Sequence, residues 1–352
     1  MQLLKRILNF KYFMIIYIIF VCIIKSVYFD ISNITAKSLP FECLQFNTLI
    51  SFPDKAFNQS NQYSSIADST KITPFEFNQI IENLYLHNYI LVNPKDIFTY
   101  NESKLTTNFE NNNIPKSKKP ILLTFDNVTY TQHNGDIDKL IVDRNNNIAT
   151  YTSKKSIQDR VQYDNEFVVI LEDFIRKHPD FSYNNARGII FLTGENGILG
   201  YNTSHKNASY RQEAKRVIEV IHKLKYLGWE FGCNNYFADP NIIFDDLQFA
   251  KSLSLWNKEV KPLISTTPFY AYRNIQTSPL QQELLESNNF KFFFSNSNQT
   301  SYNIINNVCH ITRIPINGHT LRNNRNELLH LFDSELVYDH TNRLVNYFSF
   351  SE

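Results

Sequence analysis

The chain has 352 residues, 43% hydrophobic and 20% charged, with a formal net charge of +1. That is enough apolar material for a full core in one large α/β domain. The near-zero charge gives no basic or acidic face of the kind that nucleic acid or an anionic membrane surface selects, so no nucleic-acid partner is expected. Only 8 Gly stand against 20 Tyr and 29 Phe.

In chain order, Lys5, Arg6 and Lys11 precede an apolar stretch from Tyr12 to Ile24. Positive residues before an apolar run form the pattern of a secretory signal or signal-anchor. The exit, Cys22-Ile23-Ile24-Lys25-Ser26-Val27, lacks the small residues of a cleavage site. Residues 1–30 therefore read as an N-terminal membrane helix, a signal-anchor, and 31–40 as a linker. The body would be membrane-anchored and extracytoplasmic, or secreted if the signal is cleaved.

Residues 41–345 read as a single domain, with its core motifs in 120–295. Phe41 to Phe52 is a first strand and loop, and 58–69 is polar loop. A helix begins at Thr73, which caps it; Pro74 takes the first turn and Glu76 completes a capping box. Tyr89 to Val92 is a strand, and Asn93 to Lys119 reads as a mobile loop. The apolar run from Pro120 to Phe125 is a buried strand. A hairpin follows, with Leu140-Ile141-Val142 and Ile148-Ala149-Thr150 flanking Arg144 to Asn147. Helices are expected over Asn165–Lys177, Gln212–Leu227, Asp245–Val260 and Ser278–Asn289. Strands are expected over Gly188–Thr193, Trp229–Phe231, Leu263–Thr266 and Phe290–Phe294. Alternating strands and helices argue a parallel sheet or barrel with helices outside.

The chemistry centres on Leu123-Thr124-Phe125-Asp126-Asn127. Asp126 stands at the carboxyl end of an apolar strand, where α/β barrels carry their functional groups. Metal hydrolases commonly need two acids at such a place; this chain offers one acid and its amide analogue.

These residues resemble the T-F-D-D motif of the polysaccharide deacetylase (NodB-homology) family. Gly228 to Ala238 lies where that family has a strand followed by H-S-x-x-H. Within the family the chain is similar to an uncharacterised bacterial branch, through His178-Pro179-Asp180-Phe181-Ser182-Tyr183, the segment Thr193 to Tyr201, and the late Leu331-Phe332-Asp333 and Val337-Tyr338-Asp339. The resemblance implies a deformed (β/α) barrel of the polysaccharide deacetylase / glycoside hydrolase-deacetylase type. It also implies a divalent metal held by one Asp and two His, with a preceding Asp as base, acting on acetylated sugars. Position by position, Asp126 matches the base, Asn127 the metal-binding Asp, and Asn234 and Ala238 the two His. Asn47 stands where many members have an early His. Thr267-Pro268-Phe269-Tyr270-Ala271 keeps the proline and an aromatic of a later motif. Tyr270 and Tyr272, after a strand, are candidates to line a sugar groove.

The base is thus retained and the matched metal ligands are replaced, so no metal cofactor is expected. Zinc lowers the pKa of bound water from about 15.7 to about 7, which is roughly 12 kcal/mol. General acid–base catalysis alone supplies about 10²–10⁴-fold, only a few kcal/mol. Amide oxygens suit calcium or magnesium among several carboxylates, not zinc. Replacement ligands would have to come from His133, His205, His222, His310 or His319.

Three readings follow. The first is a catalytically impaired deacetylase-like surface protein, anchored in the membrane through its N-terminal helix, that retains binding to cell-wall or surface glycan. The second is an active zinc- or other metal-dependent hydrolase of acetylated carbohydrate with a rearranged site. The third is a structural or adhesive surface protein. Cys43, Cys233 and Cys309 leave one disulfide possible.

Overall fold

In the computed structural model the described residues are 40–57, 63–101, 104–109, 113–130, 135–153, 155–239, 244–272 and 278–343. The expected N-terminal membrane helix lies outside them. Among the described residues, no helix is long and apolar enough to cross a membrane.

Seven parallel strands close into a barrel. They are β1 (Glu42–Phe46), β3 (Lys119–Phe125), β4 (Ile189–Leu192), β5 (Glu230–Cys233), β6 (Phe269–Ala271), β7 (Phe292–Asn296) and β9 (Val308–Pro315). Around the ring the order is β1-β9-β7-β6-β5-β4-β3 and back to β1. Closure is made by β1 and β3, which pair from Glu42 with Ile121 to Phe46 with Phe125. A short strand, β2 (Tyr89–Leu91), lies outside the ring on the other edge of β3, where Leu91 pairs with Ile121. β8 (Ser301–Ile305) runs antiparallel to β9 as a hairpin.

The two-residue alternation of strand side chains sorts this core into two layers. Cys43, Leu122, Ile189, Phe191, Phe269, Ala271, Phe292, Phe294, Cys309 and Ile311 pack together as the barrel interior. Their neighbours Leu44, Phe46, Leu123, Phe125, Ile190, Phe231, Tyr270 and Phe293 face outward, against helix residues such as Ile80, Phe167, Ile221 and Trp256. Burial on both faces explains why these strands are almost uninterrupted apolar runs. The interior is full: a Cβ on Gly232 would lie 2.4 Å from the Phe191 ring.

The helices are α1 (Pro74–Leu86), α2 (Phe167–Lys177), α3 (Tyr210–Leu227), α4 (Asp246–Glu259), α5 (Pro279–Ser287) and the short α6 (Gly318–Asn323). The capping box of Thr73 and Glu76 is present at α1, and Asp245 with Gln248 makes another at α4. α3 stops at Gly228, whose φ of +103° is left-handed; a side chain there would strike the carbonyl oxygen of Asn185.

The segment expected as a mobile loop instead holds a helical turn, Pro94–Ile97, and a hairpin of strands Phe98–Asn101 and Lys104–Thr107. Phe98 and Leu105 of that hairpin enter the interior cluster. Phe98, Phe109 and Tyr302 surround Phe41, just before β1, at centroid distances of 5.8–6.0 Å. Rings thus plug the N-terminal end of the barrel.

Two other expectations are corrected. The polar loop expected over 58–69 instead ends in a helix, Ser64–Thr70. Lys261–Ile264 is a helical turn with Pro in its first positions, and the strand expected at Leu263–Thr266 begins only at Phe269, after Pro268. The expected hairpin after β3 is present as Lys139–Val142 with Ile148–Tyr151, and a third strand, Val161–Gln162, extends it into a small sheet.

Candidate functional site

Asp126 follows β3 at the barrel's carboxyl end. Its N–H donates to the Phe46 carbonyl at 2.8 Å, so the ladder with β1 continues to this residue. Asp126 has the inward parity of Leu122 and Thr124. Arg313 holds the corresponding inward position on β9, opposite Asn296 of β7. The guanidinium meets the carboxylate end-on: Nη1 donates to Oδ1 at 2.8 Å and Nη2 to Oδ2 at 2.9 Å. Nη1 also lies 3.2 Å from Thr124 Oγ1, which itself donates to the Leu44 carbonyl. The Arg313 guanidinium lies 5.4 Å from the Phe191 ring centre and 5.9 Å from that of Phe294. Arg313 is fully buried and Asp126 is 6% exposed. Paired, the two charges are satisfied; removal of either would leave the other uncompensated in an apolar interior.

Asn127 does not join Asp126 inside. Its backbone is left-handed, with φ +56°, and its side chain is exposed. The loop after it docks on the glycine-rich segment, where Leu199 and Gly200 donate to the carbonyls of Val128 and Thr129. Asn234 stands at the end of β5, 1% exposed, its N–H on the Leu192 carbonyl. Asn235 is left-handed, and its Oδ1 accepts from the Tyr270 hydroxyl at 2.6 Å. Gly194 and Glu195 both donate to the Tyr236 carbonyl, and Glu195 Oε2 accepts from the Ala238 N–H at 3.0 Å. All four expected positions, Asp126, Asn127, Asn234 and Ala238, therefore follow the carboxyl ends of β3 and β5, which flank β4. Asn47 lies just after β1, and its amide donates to the Thr70 carbonyl.

The resemblance implies a divalent metal, and the donor set here does not fit one. Both oxygens of Asp126, at the base position, accept from Arg313, and the matched ligand positions offer the amides of Asn127 and Asn234 and the methyl of Ala238. Among the described residues, no three His, Cys, Asp or Glu side chains converge. His133 lies outside the described residues. His205 rests on Tyr210 near Glu259. His222 is exposed on α3, and His310 packs edge-on to Phe293 on the outward face of β9, where burial lowers its pKa. His319 is exposed in α6 beside Asn323.

Tyr270 is corrected as a groove residue. It is fully buried on the outward face of β6, with its ring among Phe249, Phe290 and Phe293. Tyr272 is half-buried against Tyr270 and Phe293. Cys43, Cys233 and Cys309 are buried, and burial pushes the Cys309 thiol up to about 12.

Arg313 and Glu195 were not singled out in the sequence. For Arg313 a signal existed. In Val308-Cys309-His310-Ile311-Thr312-Arg313-Ile314-Pro315 the arginine shares parity with Cys309 and Ile311, so an inward cation needing a buried anion was implied. Glu195 carried no comparable signal.

No family model matches the chain, and no curated protein matches it. Similar solved structures include a Streptococcus pyogenes deacetylase, PplD, in complex with acetate, at 13% identity and a TM-score of 0.46, covering 80% of this chain and 93% of that one. IcaB from Ammonifex degensii is 12% identical with a TM-score of 0.43, covering 84% of this chain and 97% of that one. A de-N-acetylase from Aggregatibacter actinomycetemcomitans is 11% identical with a TM-score of 0.45, covering 80% and 96%.

Proposed function

We propose that this chain is a deacetylase-like barrel that has lost metal-dependent hydrolysis and serves as a glycan-binding protein outside the membrane, held there by its N-terminal segment. The observation that carries this reading is the end-on pair of Asp126 with Arg313, in a rim where positions 127, 234 and 238 present two amides and a methyl. A carboxylate committed through both oxygens to a buried guanidinium neutralises its charge without a metal. No described side chain then supplies the roughly 12 kcal/mol by which a zinc ion lowers the ionisation cost of water.

The test is metal analysis of the purified full chain after incubation with zinc, alongside acetate release from acetylated oligosaccharides. The expected result is substoichiometric zinc and no release above background. The variant Asn127→Asp/Asn234→His/Ala238→His is expected to gain zinc, because it restores the ligand types at the matched positions. One equivalent of zinc on the natural chain, lost in Asp126→Ala, would establish an active metal-dependent hydrolase instead.

A further inference from the structure

We propose a second binding site, for a neutral oligosaccharide, in the cleft between the inserted three-stranded sheet and helices α2 and α3. A cavity of about 710 Å³ opens there, walled by Asn147, Tyr163, Glu172, Asp173, Arg187 and Lys223. A second cavity, of about 570 Å³, shares Lys223 and is lined by Asn146, His222 and Tyr226. Each falls within the roughly 300–1,000 Å³ range of small-molecule sites. Asn185 and Arg187 precede β4, so this end of the cleft lies toward the plugged end of the barrel, away from Asp126.

The chemistry of the walls selects the ligand class. Each carboxylate of the larger cavity's wall is met by a cation: Arg187 donates to Glu172 at 2.8 and 3.2 Å, and Asp173 accepts from Arg176 and Lys177, while Lys223 lies beside the Tyr226 ring. Such a surface, mixed in sign and with no run of like charge, offers neither the cluster of cations a polyanion needs nor a set of free carboxylates for a metal ion, yet it is dense in donors and acceptors. Sugar hydroxyls, which both donate and accept, match that inventory. The wall is also preorganised. Arg187, 6% exposed, is fixed by Glu172, Ser182 and Asn185, and the Trp229 indole donates to Glu172 at 2.7 Å. A wall already held in place loses little freedom on binding.

Two tyrosines supply flat apolar faces for the C–H side of a sugar ring. Tyr163 is 47% exposed, with its hydroxyl anchored on Asp143 at 2.6 Å. Tyr226 is 79% exposed, with the Lys223 ammonium 5.4 Å from its ring centre. Large exposed rings beside cavities bordered by amides and paired ions combine an apolar platform with polar edges. The inserted sheet that carries Asn147 and Tyr163 lies outside the barrel wall, where a binding surface can be elaborated without disturbing the core.

The proposal deepens the glycan-binding part of the reading above and is independent of whether the barrel mouth hydrolyses anything. The test titrates the full chain with the β-1,4-linked tetramer of N-acetylglucosamine, with maltotetraose, and with a sulfated oligosaccharide of similar length, following tyrosine fluorescence and calorimetry. Saturable binding of at least one neutral tetramer is expected, and none of the sulfated one. Tyr163→Ala and Tyr226→Ala, both at exposed positions, are each expected to weaken it about three- to tenfold, the scale of one aromatic contact. Asn127→Ala at the barrel mouth is expected to leave it unchanged. Binding lost in Asn127→Ala but retained in both tyrosine variants would overturn this site and leave the glycan-binding reading standing. No binding of either neutral tetramer, or preference for the sulfated one, would overturn the proposal outright, while the metal analysis separately decides whether hydrolysis is lost.

Discussion

Asp126, at the end of the second strand of the ring in chain order, and Arg313, on the last, meet inside the barrel through two parallel hydrogen bonds of 2.8 and 2.9 Å. The pair spans β1, the strand through which the barrel closes, and thus ties the ends of the fold together from within. A cation supplied by the chain stands against the acid that the family resemblance assigns as catalytic base.

Arg313→Met is expected to destabilise the fold by about 3–5 kcal/mol, because the Asp126 carboxylate remains buried without its partner. The double variant Asp126→Leu/Arg313→Met should recover much of that loss, since it removes both charges. Urea denaturation of the three chains measures this; equal loss in the single and double variants would show that the pair contributes shape rather than charge compensation.

Glu166 gives the chain a pH dependence. It is wholly buried at the N-terminus of α2; its Oε1 accepts from the Leu49 and Phe167 N–H groups, and its Oε2 is 3.2 Å from Ser51 Oγ. Burial raises its pKa from 4.5 to about 8, against the opposing pull of the two N–H groups. Between those values the folded chain holds a proton that the unfolded chain has released, so stability falls as pH rises through that window. The gap corresponds to at most about 5 kcal/mol at roughly 1.4 kcal/mol per pH unit. Glu166→Gln reproduces the protonated geometry and should flatten the slope. Melting temperatures from pH 4.5 to 8.5 check it, and an unchanged slope would assign the effect to another group.

Tyr270→Phe removes the hydroxyl that donates to Asn235 at 2.6 Å and leaves the ring in place. A loss of about 1 kcal/mol in stability is expected, with oligosaccharide affinity unchanged. A fall in affinity without a fall in stability would return Tyr270 to the binding surface.

Arg343 is expected to be as sensitive as Arg313. Its buried guanidinium bonds Asp68 at 3.0 Å and Glu76 at 2.6 Å, and Asp339 accepts from Thr73 beside it. Arg343→Met leaves Glu76 buried and unpaired, and a destabilisation of about 3–5 kcal/mol follows. Chemical denaturation measures it; a change below about 1 kcal/mol would mean that Asp339 and Thr73 suffice to hold the carboxyl-terminal segment.

The amino-acid order by itself determined the alternation of strands and helices, the start of α1 at Thr73 and its capping box, the stop of α3 at Gly228, and the place of Asp126 at a strand end. Each of these depends on neighbours a few residues apart: a period of two or 3.6, a cap, or a left-handed turn. The tertiary structure decided the rest. It sent Tyr270 outward, against Phe249 of α4 and against Phe290, because one residue of register exchanges the two faces of a strand. It left Asn127 exposed on a left-handed backbone while Asp126 beside it is buried. It also brought Arg313 to Asp126 across 187 residues, a pairing set by barrel closure and by the need of a buried cation for an anion, neither of which is written in any local pattern.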